Sequence, residues 1–210
     1  MSDSLKRFVK ESWLLVAASL VCGLLLAAAD AALGPRIEMN KAAKLTNLAV
    51  GLLPDARTFA PLSEPVEIKA LDGRIESAVV FKAMADNTVV GWVFKVVGSG
   101  FADKVELVAA VDAPFQKIAG YDVLSSSETV NFGDQIKTAY YRDQFAGAPA
   151  DRLALVGPGA AKPEDIDPTI VAISGATISS EAVVQAMNHY LPQFKEQLEK
   201  KGLIGNGSNP

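Results

Sequence analysis

The chain has 210 residues, half of them apolar, with 20 Lys and Arg against 24 Asp and Glu and a formal net charge of −4. That length holds one compact domain with a core of its own plus a short appendage. The mildly acidic balance, with no basic cluster beyond the first ten residues, excludes nucleic acid as a partner, and a single cysteine, Cys22, excludes a disulfide framework or a thiolate metal site within one chain.

Lys6, Arg7 and Lys10 precede an uncharged run from Trp13 to Ala29, followed by Asp30, Ala31, Ala32 and Leu33. Counted through Leu33 the run has roughly the 20 residues that cross a ~30 Å hydrocarbon layer, with Trp13 as an interfacial anchor. A basic head, an apolar middle and small residues around Ala27 to Ala31 fit a cleaved signal peptide as well. Arg36, Lys41 and Lys44 beyond the run match the three basic residues before it, so charge counting does not orient it. The short basic head and the large polar remainder do: the head stays in the cytoplasm and the domain is exported across a bacterial inner membrane. Residues 1–34 are therefore read as a cytoplasmic tail and a transmembrane helix in contact with lipid, and Cys22 as a buried, inert thiol.

Gly34-Pro35 interrupts the pattern, and helical spacing resumes with Ile37, Ala43, Leu45, Leu48, Val50 and Leu52 before Leu53-Pro54-Asp55 stops it. This predicts a linking helix within 35–56. Strand-like segments follow at Val66–Leu71, Ala78–Ala83, Val89–Val96, Val105–Val111 and Lys117–Val123, with turns at Asp86-Asn87 and Asp112-Ala113-Pro114. They predict an antiparallel meander of about five strands. Turns and short helices occupy Ser125–Pro149, and a Gly/Pro/Ala-rich connection from Gly157 to Pro168 leads to the strand-like Ile170–Ile173. The chain closes with a helix capped by Ser179 or Ser180, with Glu181 in its first turn and Val183, Ala186, Tyr190, Phe194 and Leu198 as its core stripe. Pro192 is expected to kink or divide it and Gly202 to end it, leaving 203–210 as a flexible tail. The fold class is α+β: one N-terminal transmembrane helix, then a single domain at 57–202 with an antiparallel sheet and flanking helices.

Chemistry concentrates at Ile173-Ser174-Gly175-Ala176-Thr177-Ile178-Ser179-Ser180. A β-branched strand, a glycine-containing turn and hydroxyls at a helix start make a place for an anion, because first-turn amides point outward and the helix dipole adds positive potential. The bland alternative is an ordinary Ser-capped helix. Other chemistries lack their parts. His189, the only histidine, has no nucleophile or second ligand at useful spacing, and Gly98-Ser99-Gly100 lacks the third glycine of a dinucleotide loop and opens a strand.

The chain resembles the FMN-binding domain family, in particular the G subunits of Rnf electron-transport complexes, with the C subunits of the sodium-pumping NADH:quinone reductase as relatives. The resemblance rests on the membrane helix, the linking helix, the Gly98-Ser99-Gly100-Phe101 turn, Ser127–Ile136 in place of a Glu-Thr-Pro-Gly-Leu-Gly segment, and Ser174-Gly175-Ala176-Thr177. It implies an FMN joined by a phosphoester to Thr177 by a flavin transferase, with Ser174, Gly175, Ala176, Ser179 and Ser180 around the phosphate. It also implies Glu128 and Thr129 near the isoalloxazine. The implied partners are the other membrane subunits of an Rnf-type complex coupling ferredoxin and NAD chemistry to ion pumping, in which this chain is an electron relay and not a stand-alone catalyst. Three positions depart from the family pattern: Val130-Asn131 replaces Pro-Gly, Ser126 stands where His is common, and Val171 stands where the transferase motif usually has Asp. Val171 is the main support for the alternative, a membrane-tethered flavin-binding or scaffold domain of another extracytoplasmic chain without covalent flavin.

Overall fold

The structure, a computed structural model, describes residues 3–205; residues 206–210, the end of the expected tail, lie outside the described residues. The chain forms two compact units, Met1–Ala43 and Lys44–Pro210. The first is built from helix α1, which is assigned over Asp3–Leu52 and so extends into the second. Its stretch Ser12–Gly34 is long and apolar enough to cross a membrane, 23 residues or about 35 Å at the helical rise. The side chains there face outward, Leu15 and Leu26 among the most exposed. Cys22, expected to be buried, is exposed on this helix. The helix also continues through Gly34-Pro35, where the sequence predicts a break. Ala31, Ala32 and Leu33 before the pair and Arg36 after it favour helix, against the cost of Gly34 and Pro35.

In the second unit a five-stranded antiparallel sheet has the order β1 (Thr58–Pro61), β4 (Val80–Ala85), β5 (Thr88–Ser99), β6 (Lys104–Asp112) and β7 (Ile118–Ser125). Four of the five predicted strands are in it. The fifth, at Val66–Leu71, instead forms β2 (Val66–Lys69), paired with β3 (Ile75–Ala78) in a separate hairpin, and β1 takes the edge position. β1 escapes a periodicity search because Thr58-Phe59-Ala60-Pro61 is short and mostly exposed. The β4–β5 turn is at the expected Asp86, in the left-handed region at φ 51°.

The central strand β5 is buried on both faces, which is why Trp92 to Phe94 read as an unbroken apolar run. Trp92, Phe94 and Val96 point to one core, where they meet Val183, Met187, Phe194 and Leu198 of the closing helix α3 (Thr177–Lys200). The Phe94 and Phe194 rings stack there with centroids 4.2 Å apart. Val93 points the other way, with Val108, Ala110 and Leu124, against Leu45, Ala49 and Leu53 at the end of α1 and just beyond it. Lys44 Nζ also donates to the Leu124 carbonyl. The sheet is thus the middle layer between α3 and the last turns of α1.

Helix α3 begins two residues earlier than its expected cap. Ala176 is the cap residue and no side chain caps it, while Ser179 and Ser180 lie inside the first turn. Pro192 leaves the helix as one 24-residue element. Tyr190, Leu191, Phe194 and Leu198 are buried on both sides of it, so packing outweighs the ~3 kcal/mol cost of an interior proline. The helix ends as expected: Leu203 N–H donates to Leu198 O (2.9 Å) and Gly202 N–H to Glu199 O (2.9 Å), the paired bonds of a Schellman motif. Ile204, assigned to the tail from sequence, is buried in the main core.

Candidate functional site

The Ser174–Thr177 turn is delivered by β9 (Thr169–Val171), which pairs in parallel with the unforeseen β8 (Ala154–Val156). Gln144 clamps β9 through both of its amide atoms: Oε1 accepts from Val171 N–H (2.7 Å) and Nε2 donates to Val171 O (3.3 Å). The Val171 side chain is itself core. After β9 the chain reverses at Gly175, whose φ of +76° is a left-handed conformation that glycine adopts without cost. Ser180 fastens this reversal from inside, its hydroxyl accepting from Ile173 N–H (3.0 Å) and donating to Ala176 O (2.9 Å). The phenol of Tyr141 donates to Ser180 O (2.8 Å) behind the same turn. Burial pushes the Tyr141 pKa well above its usual value.

In front of this turn lies a cleft of about 500 Å³ lined by Thr177, Gly175, Ala176, Ile178 and Ser179 on the α3 side. Glu128, Thr129, Phe132 and Gly133 close the second side and Phe101 the third. Of the eight residues singled out from sequence, six line it. Ser174 is exposed in the turn but outside the lining, and Ser180 is wholly buried behind it and unable to face a ligand. Thr177 is exposed at the mouth. Phe101, 70% exposed, and Phe132, 56% exposed, present apolar area at the cleft without a packing partner that buries them. The first signal for Phe101 is its place directly after Gly98-Ser99-Gly100; its exposure is legible only from the fold.

Glu128 is the second surprise. A polar residue opening a loop is ordinarily solvated, yet this one is 7% exposed. Its Oε1 accepts from Ala102 N–H (3.0 Å) and its Oε2 accepts from the Ser179 hydroxyl. The following loop explains two departures from the family pattern. Ser126 Oγ accepts from Glu128 N–H (3.2 Å), and Phe132 N–H donates to Thr129 O (3.1 Å) to close a turn around Val130-Asn131. Asn131 has φ +63°, and asparagine is the residue after glycine that best tolerates that region. Val-Asn therefore builds the turn that Pro-Gly would.

Among the described residues lining the cleft, Glu128 is the single ionisable side chain, and the remainder of the lining is apolar, small or hydroxyl-bearing. No side chain caps the first turn of α3, so its outward amides are open to an anionic group, and Phe101 and Phe132 both give the same cleft apolar area. Among the described residues no group of three metal-binding side chains occurs. A second cavity of about 430 Å³ lies beside the β2–β3 hairpin, where Lys95 pairs with Glu106 (3.3 Å) and Asp72 with Arg74 (2.6 Å). His189 sits near that hairpin as a structural residue, with Nε2 2.6 Å from Lys69 O.

Comparison with known proteins agrees with this geometry. The FMN-binding domain model matches residues 100–192, a span that contains every residue lining the cleft. The chain is 30% identical over 190 residues to the G subunit of the ion-translocating oxidoreductase complex of Methanosarcina acetivorans, covering 90% of this chain and 94% of that protein. It is 28% identical over 113 residues to the G subunit of the proton-translocating ferredoxin:NAD(+) oxidoreductase complex of Clostridium ljungdahlii, covering 54% and 58%. The crystal structure of Shewanella oneidensis NqrC shares the fold with a TM-score of 0.56 at 24% identity, over 70% of this chain and 73% of that one. The C subunit of the Na(+)-translocating NADH-quinone reductase of Parabacteroides distasonis does so at 0.50 and 24%, over 58% and 62%. With identity extending along nearly the whole chain and the FMN-binding model lying over the cleft, the protein belongs to the family of G subunits of ion-translocating oxidoreductase complexes.

Proposed function

We propose that this chain is the electron-relay subunit of a membrane-bound, Rnf-type ion-translocating oxidoreductase, carrying an FMN joined to the Thr177 hydroxyl by a phosphoester. The single observation that supports the attachment best is the placement of Thr177: exposed, at the mouth of the cleft, on the uncapped first turn of α3. The α3 amides would hold the phosphate, Gly175 would let it approach the backbone, and Phe101, Phe132 and Ile178 would flank the ring. When bound, the flavin supplies one- and two-electron chemistry; the protein's part is to fix its position and surroundings. A covalent tether prevents its loss outside the cytoplasm.

The burial of Val171 bears on the alternative without covalent flavin. At 1% exposure its side chain adds almost nothing to the accessible surface that an enzyme meeting the folded domain would read. The membrane subunits, the flavin transferase that makes the bond, and an extracytoplasmic domain held at the bilayer by Ser12–Gly34 complete the reading. Its direct test is Thr177→Ala in cells with an active flavin transferase. The variant should lose all flavin fluorescence in denaturing gels and keep its stability to within about 0.5 kcal/mol, since one exposed hydroxyl contributes little to the core. Fluorescence that persists in the denatured variant would place the attachment elsewhere.

A further inference from the structure

The glycines around Glu128 give its burial a purpose. A Cβ at Gly100 would overlap Glu128 Oε1, and one at Gly133 would overlap both Glu128 Oε2 and the Ser179 hydroxyl. The two chain segments have therefore been cleared to admit a carboxyl group between them. That group joins three pieces of chain distant in sequence: the turn at Ala102, the loop that carries Glu128 itself, and the first turn of α3 at Ser179. Both carboxyl oxygens accept from protein donors, Oε1 from Ala102 N–H and Oε2 from the Ser179 hydroxyl. Glu128 thus lines the cleft with each carboxyl oxygen already engaged by a protein donor.

We propose that Glu128 is a positioning residue, which acts through Ser179 and the Ala102 amide to hold the Thr177-bearing turn of α3 against the Phe101 turn. The inference rests on Thr177 being the attachment residue, but its geometry does not. The elements it joins carry the three groups that a tethered flavin needs at fixed separation: Thr177 for the bond, Phe132 and Phe101 for the ring. A bridge made by two hydrogen bonds keeps its geometry when the charge is removed, although each bond is then weaker. Glutamine retains one acceptor for Ala102 N–H, and its amide can donate to the Ser179 oxygen, because a hydroxyl both donates and accepts. Alanine retains neither bond.

The test uses the full chain in detergent, as Glu128→Ala, Glu128→Gln and Ser179→Ala, with two measurements. Amide hydrogen exchange should rise tenfold or more at residues 100–103 and 176–181 in Glu128→Ala, with β5 and β6 as protected as in the wild type, and return to wild-type rates in Glu128→Gln. Labelling of Thr177 by a flavin transferase should slow at least tenfold in Glu128→Ala and recover in Glu128→Gln. Unchanged local exchange in Glu128→Ala, or a Gln variant as impaired as Ala in both measurements, would overturn the proposal, the second outcome because charge and not bridging would then be at work. Should Glu128→Ala fail to fold, Ser179→Ala removes only one end of the bridge and must show raised exchange at 176–181; wild-type exchange there would overturn the proposal equally. A wild-type chain that takes up no flavin would refute the attachment at Thr177, while the exchange data would still decide the role of Glu128.

Discussion

At the scale of single residues, the site is made as much by what is missing as by what is present. Gly133 is missing a Cβ that would overlap Glu128 and Ser179. Gly133→Ala should therefore destabilise the fold by about 1–3 kcal/mol, read as a lowered denaturation midpoint. Combined with Glu128→Ala the loss should be less than additive, since the second change removes one of the groups in the way. Tyr141 and Tyr121 support the same region from behind, the latter donating to Ile136 O (2.6 Å), and burial raises the pKa of both phenols. The sign follows from the unfolded chain, where a tyrosine ionises near pH ~10. Below that value the contribution is fully present; above it the unfolded state loses protons that the folded state retains, so stability falls as pH rises, by about 1.4 kcal/mol per pH unit per phenol. Tyr141→Phe should cost about 1 kcal/mol at neutral pH through the lost bond to Ser180 O, and should flatten the decline above pH ~10 in a series of denaturation curves. A decline of equal steepness in the variant would mean that Tyr141 is not among the groups responsible.

At the scale of elements, the end of α1 matters more than a linker would. Leu45, Ala49 and Leu53 cover the face of the sheet opposite α3, and Leu53 lies so close to β5 that a Cβ at Gly91 would approach its Cδ1 to 2.8 Å. Leu53→Ala should cost about 2–4 kcal/mol. A chain beginning at Lys44 should give a soluble, cooperatively unfolding domain, whereas one beginning at Arg57 should aggregate, because Val93, Val108, Ala110 and Leu124 would lose their cover. Equal solubility of the two would show that this layer is dispensable. Much of this architecture is legible in the sequence. The core stripe of α3, four of the sheet's strands and the Asp86 turn follow from periodicity and turn chemistry. β1 and β8 do not, being three or four residues long and stabilised by partners remote in sequence. The misplacement of Val66–Leu71 has the same origin: alternation shows that a strand has one buried face, not which sheet it joins. At the site, the Ser174–Thr177 turn and Glu128 are legible from the family resemblance. That Ser180 faces the core and that Glu128 is a bridge depend on how α3 is rotated and on three segments meeting, which no local pattern encodes.

At the scale of the whole molecule, an apolar helix is joined in one chain to a domain with a cleft of about 500 Å³. If Ser12–Gly34 crosses the inner membrane with its basic head inside, protease added to the outer face should digest residues 44–205; protection there would reverse the orientation. The proposed electron-relay role depends on where a flavin would be held. The measurement that bears on it most directly is the mass of the peptide containing Thr177, taken from wild-type protein expressed in membranes with an active flavin transferase. The expected result is a peptide heavier by one FMN less one water, as a phosphoester requires, with fragmentation placing the addition on Thr177 and not on Ser174, Ser179 or Ser180. An unmodified Thr177 peptide, or the same addition on another residue, would contradict it.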